Sequence, residues 1–149
     1  MNKIDTYIEE LKKDLNYIKT GDIIDIVNIL KESRLIFICG NGGSASTASH
    51  ITNDFEKSCG LNIVCLSDNV PLITAWANDE RYDLIFSKRL ETIGTEQDSL
   101  LILTSSGNSK NLIKAIETSL AKKMKVVALL GKDGGVILDR FKDKIKVML

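Results

Sequence analysis

The sequence is poor in the residues that mark several classes of protein. It contains one proline, one histidine and three cysteines, and aromatic residues make up 5% of it. The cysteines, Cys39, Cys59 and Cys65, are odd in number and lack Cys-x-x-Cys spacing, which favours free thiols in a reducing compartment. No apolar run is long enough to span a membrane, and residues 1–15 lack the apolar core of a signal peptide. We therefore expect a cytoplasmic protein with no membrane partner.

The charges are balanced and evenly spread. Lys and Arg total 20, Asp and Glu also total 20, and no block of like charge stands out. Nucleic acid is therefore a poor candidate for a partner. A chain of 149 residues fits one domain. We expect a single domain over residues 1–149, with helices in 1–33 and an α/β core in 34–149.

Hydrophobic periodicity predicts two helices before the first strand. Apolar residues recur at steps of four and three in the first segment, which places them on one stripe of a helix. They are Ile4, Ile8, Leu11, Leu15 and Ile18. Thr20-Gly21 predicts a break, and a second helix is predicted over about residues 22–32. The stripe suits either association with a second copy of the chain or packing on the chain's own sheet.

Five short apolar stretches are typical of strands that are buried on both faces and therefore parallel. They cover residues 35–39, 62–66, 100–103, 126–130 and 145–149. Helical stretches separate the first four, at about residues 44–58, 70–77, 82–93 and 109–122. The alternation predicts a doubly wound, five-stranded parallel sheet with flavodoxin-like α/β architecture and two amino-terminal helices.

The first predicted strand ends in a loop of small residues, Gly40-Asn41-Gly42-Gly43-Ser44. Such a loop can turn tightly and expose its amides at the start of the next helix, where an anion binds well. No Gly-Lys-Ser/Thr follows, and the third glycine of a dinucleotide fingerprint is missing, so we expect no nucleotide cofactor. The alternative is a glycine-rich turn that serves close packing only.

The third predicted strand ends in a loop with four hydroxyls, on Thr104, Ser105, Ser106 and Ser109. Hydroxyls beside helix amino-terminal amides suit a phosphate monoester. The alternative is that Ser109 merely caps its helix. In a doubly wound sheet the first and third strands can be neighbours, and both loops then line one crevice. The two loops together predict a phosphorylated sugar as ligand.

His50 is the only histidine, and Asp54 follows it four residues later on the same face of the helix that opens at Ser44. Such a pair can share a metal or transfer a proton. The alternative is a solvent-facing pair, and two ligands alone do not make a zinc site. Asn78-Asp79 lies in a polar break that is either a helix stop or a ligand contact.

The chain resembles the SIS family, and within it the phosphoheptose isomerases. The matching segments are residues 39–44, His50, Asn78-Asp79, Phe86, residues 104–109 and residues 131–135. The resemblance implies an aldose-ketose isomerase of heptose biosynthesis, which interconverts sedoheptulose 7-phosphate and D-glycero-D-manno-heptose 7-phosphate through an enediol. It implies substrate contacts by Asn41, Gly42, Gly43, Ser44, Asn78, Asp79, Thr104, Ser105, Ser106 and Ser109.

The resemblance also implies catalysis by Asp54 with His50, a zinc ion held in part by the same two residues, and a homotetramer or dimer with active sites at subunit contacts. Two departures bear on activity. The family's base is a glutamate, whereas Asp54 is one methylene shorter.

Family members also continue past the fifth strand into a helix that carries a glutamine and a second histidine. We expect this helix to be lacking after Leu149, so that the chain is either a truncated enzyme or a form that binds without efficient turnover. The alternative function is a non-catalytic SIS module that binds a sugar phosphate as a sensor or serves as a protein adaptor.

Overall fold

The computed structural model describes residues 2–149, which alternate between helices and strands. The helices are α1 (Lys3–Tyr17), α2 (Thr20–Lys31), α3 (Gly43–Cys59), α4 (Val70–Asp79), α5 (Ser87–Ile93), α6 (Lys110–Ala121) and α7 (Gly135–Phe141). The strands are β1 (Ile36–Cys39), β2 (Ile63–Cys65), β3 (Ser99–Thr104), β4 (Lys125–Leu130) and β5 (Lys146–Met148). Short 3₁₀ turns at Leu66–Asp68 and Tyr82–Leu84 precede α4 and α5.

The five strands form one parallel sheet in the order β2-β1-β3-β4-β5. This confirms the predicted doubly wound α/β fold. The chain leaves β1 toward β2 on one side and returns to β3 on the other, so the strand order reverses between β1 and β3. Cys39 of β1 lies opposite Ile102 of β3. The loops that follow these strands therefore begin side by side, at the usual ligand position of an open α/β sheet.

The central strands β1 and β3 are buried on both faces, as their apolar sequences predict, whereas the edge strand β5 is half-buried. Phe37 and Leu100 pack with Ile116 of α6 in one cluster, and Ile38 packs with Leu30 of α2 in the other. Phe37 is 0% exposed, and truncation of such a residue to alanine costs about 3–5 kcal/mol. The carboxyl edge of the sheet is thus held by a rigid core.

The helix break predicted at Thr20-Gly21 is wrong by two residues. The helix α1 ends at Tyr17, and Ile18 and Lys19 are extended. Thr20 and Gly21 form the first turn of α2. Glycine is tolerated there because the first amides of a helix have no intrahelical partner to lose.

Two other elements differ from the sequence prediction. The helix predicted over residues 82–93 is a 3₁₀ turn followed by α5, and Ile85 and Phe86 between them are buried. The helix α7 was not predicted. Its buried residues Ile137 and Phe141 stand four apart, and this spacing is the signal that indicates it.

The apolar stripe of α1 lies uncovered on the surface. None of the α1 residues is buried, and Ile4 and Leu15 are 70% and 58% exposed. The cysteines Cys39 and Cys65 are buried and Cys59 is exposed, and all are free thiols. Within residues 2–149, no helix combines the length and the apolar character needed to cross a membrane.

Candidate functional site

Gly40 begins the loop after β1, where the backbone is packed too tightly for a side chain. A Cβ on Gly40 would lie 2.7 Å from the backbone of Ser44. The hydroxyl of Ser67 donates to the Gly40 carbonyl at 3.0 Å and accepts from the Gly40 amide at 3.4 Å. Gly42 then takes a positive φ of 54°, which favours glycine. The loop is therefore supported by the 3₁₀ turn that follows β2, and it leads directly into α3.

The start of α3 leaves amides available for an anion. The amide of Ser44 bonds back to the Asn41 carbonyl, and the amides of Ala45 and Ser46 bond to the Gly42 carbonyl. No side chain caps the helix. Within residues 2–149, the amides of Gly42 and Gly43 have no hydrogen-bond partner, so they can bind an anionic ligand together with the positive end of the helix dipole.

The loop between β3 and α6 uses two of its four hydroxyls to hold its own shape. The Thr104 hydroxyl accepts from the Gly107 amide at 3.2 Å, and Ser106 accepts from the Asn108 amide at 3.3 Å. Ser109 is the N-cap residue of α6 by position, but its side chain makes no capping hydrogen bond. The capping role considered for Ser109 is therefore not seen. The Ser105 and Ser109 hydroxyls remain for a ligand.

The segment from Gly131 to Ile137 supports this loop through backbone amides, so it does more than form a turn. The Gly131 amide donates to the Thr104 carbonyl at 2.9 Å, and the Ile137 amide donates to the Gly107 carbonyl at 3.0 Å. The Val136 amide donates to the side chain of Asn108 at 2.9 Å. The serine-rich loop is thus fixed on β4 and α7 as well as on β3.

The two loops are joined by a pair of side-chain amides. Asn41 Nδ2 donates to Asn111 Oδ1 at 2.9 Å, and Asn111 Nδ2 donates to Asn41 Oδ1 at 2.8 Å. The hydroxyl of Tyr82 also donates to Asn41 Oδ1, at 3.3 Å. Asn111 is 2% exposed. This contact couples the start of α3 to the start of α6.

A cleft of about 740 Å³ opens beside this junction. It is lined by Asn41, Arg81, Tyr82, Asp83, Ser109, Lys110 and Asn111. Asn41 and Ser109 were predicted from the sequence as ligand contacts, whereas the other five lining residues were not. A polar residue among the buried apolar residues of α6 is the signal for Asn111, whereas no pattern indicated that the 3₁₀ turn at Tyr82–Leu84 reaches this edge.

Two of the charged groups in the cleft, Arg81 and Asp83, neutralise each other in an ion pair. Arg81 binds Asp83 through two hydrogen bonds, at 2.9 Å and 2.7 Å. The Arg81 guanidinium lowers the pKa of the Asp83 carboxyl, and Asp83 in turn raises the pKa of Arg81. Lys110 is exposed at the first position of α6. It is the cation best placed to attract an anion toward the α6 amides.

His50 and Asp54 lie together but outside this cleft. His50 Nε2 is 3.3 Å from Asp54 Oδ2, and the two side chains are 76% and 53% exposed. At 1.5 Å per residue they lie about 10 Å and about 16 Å along α3 from Gly43. Within residues 2–149, no group of three His, Cys, Asp or Glu side chains is placed to hold a metal. The pair alone does not fit zinc, which takes three or four protein ligands.

The remaining residues named from the sequence lie apart from the cleft or at its border. Asn78 and Asp79 are the last two residues of α4 rather than a break after it, and both are exposed. Their side chains bond to each other at 2.8 Å. Ser44 is half-buried beside Gly40. Within one copy of the chain the two loops therefore lie together. Asn78, Asp79, His50 and Asp54 do not line the cleft beside them.

The fold and this arrangement of loops define an α/β domain with its ligand edge at the β1–β3 reversal. A family model described as SIS domain matches residues 2–131. The chain belongs to the SIS domain family.

Among curated relatives, the phosphoheptose isomerases of Shewanella denitrificans and Shewanella pealeana are each 44% identical to this chain over 117 residues, 75% of its length. The chain spans about 60% of the length of these relatives. Among solved structures, the phosphoheptose isomerase of Neisseria gonorrhoeae matches with a TM-score of 0.84 and 29% identity, covering 97% of this chain and 83% of that one. The phosphoheptose isomerase of Francisella tularensis matches at 0.83 and 26%, covering 99% and 84%.

Proposed function

We propose that this chain is an aldose-ketose isomerase that acts on sedoheptulose 7-phosphate. The observation that carries the proposal is the junction of two loops with unpaired amides and hydroxyls at the β1–β3 reversal. The 44% identity to phosphoheptose isomerases supports the choice of sugar. The product is D-glycero-D-manno-heptose 7-phosphate, which belongs to heptose biosynthesis.

The phosphate is bound by the loop after β3. Ser105 and Ser109 offer free hydroxyls, and within residues 2–149 the amides of Lys110 and Asn111 at the start of α6 have no hydrogen-bond partner. Thr104 and Ser106 shape the loop from within. The Asn41-Gly42-Gly43 segment faces the rest of the sugar with amides that donate to its oxygens. These groups together hold the open-chain form extended along the edge of the sheet.

The proton transfer is assigned to Asp54. Its carboxylate takes a proton from C1 of the ketose while the C2 carbonyl oxygen takes one from water, which gives an enediol. The carboxylic acid then returns the proton to C2 while the hydroxyl on C1 releases its proton to water and becomes the aldehyde oxygen. His50, 3.3 Å away, orients Asp54 and hydrogen-bonds to the sugar oxygens. A zinc ion at this pair would take further donors from outside residues 2–149 or from a second copy, so no step is assigned to it.

The assembly is proposed to be a homo-oligomer, a dimer or a tetramer. Asp54 lies about 16 Å along α3 from the loop at Gly43, and Asn78 and Asp79 are also outside the cleft. A second copy can bring such residues to the loops of the first. The uncovered apolar stripe of α1 supplies a surface for that contact. A monomer at micromolar concentration in light scattering contradicts this part of the proposal.

The compartment is proposed to be the cytoplasm. Cys39 and Cys65 are buried free thiols, and Cys59 is a free thiol on the surface. Free thiols persist in compartments that keep cysteines reduced, such as the cytoplasm. Residence in an oxidising compartment, seen by fractionation, contradicts this assignment.

The function is tested by following sedoheptulose 7-phosphate with the purified protein by NMR. Turnover above background that is lost in Asp54→Asn supports the isomerase. Glu56→Gln is the matched control, because Glu56 is another exposed carboxyl on α3, and it should retain turnover. No turnover above background in the wild type contradicts the proposal.

A second candidate is a non-catalytic module that binds a sugar phosphate as a sensor or adaptor. The observation in its favour is that His50 and Asp54 are both largely exposed and outside the cleft. Calorimetry for ligand binding, together with measurements of turnover and of bound zinc, separates the two functions. Sugar-phosphate binding without turnover and without bound zinc favours the sensor.

A further inference from the structure

Asn111 is a buried amide at the start of α6, between exposed Lys110 and fully buried Leu112. A buried side-chain amide without partners costs several kcal/mol, so its hydrogen bonds determine how it sits. Asn111 Oδ1 accepts from the backbone amide of Leu112 at 2.9 Å and from Asn41 Nδ2 at 2.9 Å. A backbone amide can only donate, so the oxygen of the Asn111 side chain is identified by this contact. The side-chain nitrogen of Asn111 must then face the side-chain oxygen of Asn41.

The orientation of Asn111 fixes that of Asn41. Asn41 Oδ1 accepts from Asn111 Nδ2 at 2.8 Å and from the Tyr82 hydroxyl at 3.3 Å, which uses both of its lone pairs. Asn41 Nδ2 spends one of its two N–H groups on Asn111. The other N–H is the one hydrogen-bonding group that the Asn41 side chain retains for a ligand.

We propose that Asn111 is a positioning residue that makes Asn41 present a single N–H donor to the bound sugar phosphate. The proposal rests on the proposed function for the nature of the ligand. The group that meets this N–H is an acceptor, a carbonyl, hydroxyl or phosphate oxygen. Asn111 borders the cleft but is 2% exposed, so it acts mainly through Asn41.

The reciprocal pair also sets the separation of the two anion-binding loops. Asn41 immediately precedes the unpaired amides of Gly42 and Gly43, and Asn111 lies in the first turn of α6. The two residues are 70 apart in the chain, so the local backbone does not keep them next to each other. Loss of the pair frees each loop to move relative to the other.

A double-mutant cycle tests the proposal with sedoheptulose 7-phosphate as the probe. Affinity by calorimetry and kcat and KM by NMR are measured for Asn41→Ala, Asn111→Ala and the double variant. We expect each single variant to lose about ten-fold in affinity, as for one hydrogen bond to a charged ligand. The double variant should lose no more than Asn41→Ala alone. Equal losses of affinity from Asn111→Ala in both backgrounds overturn the proposal, since they indicate that Asn111 affects binding independently of Asn41.

Ser119→Ala is the matched control. Ser119 is a fully buried polar residue on α6 outside the cleft, so its truncation tests whether any change inside this helix weakens binding. Affinity should stay at the wild-type value. A loss as large as that of Asn111→Ala overturns the proposed role of the Asn41–Asn111 pair.

Proton exchange in the unmutated chain tests the geometry without a ligand and without a variant. One side-chain N–H proton of Asn41 should exchange with water much more slowly than the other, because it is bonded to buried Asn111. Equal exchange of both protons overturns the proposal. If the wild type neither binds nor converts sedoheptulose 7-phosphate but the exchange differs as expected, the proposed function fails while the positioning of Asn41 by Asn111 stands.

Discussion

Gly107 and Gly134 lie in direct backbone contact, so that a Cβ on Gly107 would overlap the Gly134 carbonyl. Gly107 also has a positive φ of 63°. One glycine belongs to the serine-rich loop after β3 and the other to the loop after β4. The close approach lets the Gly107 carbonyl accept from the Ile137 amide, and it holds the Ser105 to Ser109 segment in its observed shape.

Substitution of Gly107 by alanine should therefore damage the phosphate site. The new methyl requires the two loops to separate and strains the backbone, at a cost on the order of 1–3 kcal/mol. We expect a lower midpoint in urea unfolding and weaker binding of sugar phosphate. Gly21→Ala is the control, because Gly21 has nothing within 4 Å and lies in the first turn of α2. It should raise stability by about 0.4–1 kcal/mol, and a similar result for Gly107→Ala contradicts the role of the contact.

The charge of Lys110 should affect anion binding in a salt-dependent way. Lys110 is exposed at the start of α6, beside the amides assigned to the phosphate, while Arg81 is engaged by Asp83. An exposed charge contributes about 0.2–1 kcal/mol, so Lys110→Ala should weaken binding by up to about five-fold at low salt and less at 1 M salt. Lys57→Ala, with the same charge change at the far end of α3, should have no effect. If both variants weaken binding equally, the effect comes from the net charge of the protein and not from the position of Lys110.

The sequence predicted the sheet and its reversal because strand burial and loop chemistry are local patterns. The runs around Phe37 and Leu100 are apolar enough to be buried on both faces, and the loops after them contain the glycines and hydroxyls that an anion site needs. Resemblance to a family then narrowed the ligand to a heptose phosphate.

The contacts between distant segments were not predictable in this way. The Asn41–Asn111 pair joins residues 70 apart, and Tyr82 reaches Asn41 from a 3₁₀ turn that the periodicity had assigned to a helix. The sequence places Asn111 on α6 but cannot show that its side chain turns toward the loop of β1. The contribution of Asn111 and Tyr82 to the site therefore becomes visible only in the folded structure.

The ion-pair cluster at Glu117 predicts a loss of stability in acid. Lys114 and Arg140 bond to this carboxyl at 2.9 Å and 2.7 Å and lower its pKa. A lowered folded-state pKa gives stability that is present above the unfolded value of 4.5 and is lost as pH falls through the folded value. Because the Glu117 side chain is 32% exposed, we expect about 1 kcal/mol or less. Urea unfolding between pH 3 and pH 7, at about half-unit steps, should show a shallower acid slope for Glu117→Gln, and an unchanged slope contradicts the assignment.

The length of the side chain at position 54 should decide how well the proton is transferred. Asp54 is the carboxylate assigned to the isomerisation, and the family resemblance places a longer glutamate at this position. A reach that is short by about 1 Å can cost about 100-fold in rate, so Asp54→Glu should raise kcat by up to that factor with little change in KM. Asp54→Asn should abolish turnover and leave ligand binding intact, because the phosphate is assigned to Ser105, Ser109 and the first amides of α6, and Asp54 does not line the cleft. A lower kcat in Asp54→Glu indicates that the helix already sits close enough for aspartate, and equal kcat in all three proteins removes Asp54 from the mechanism.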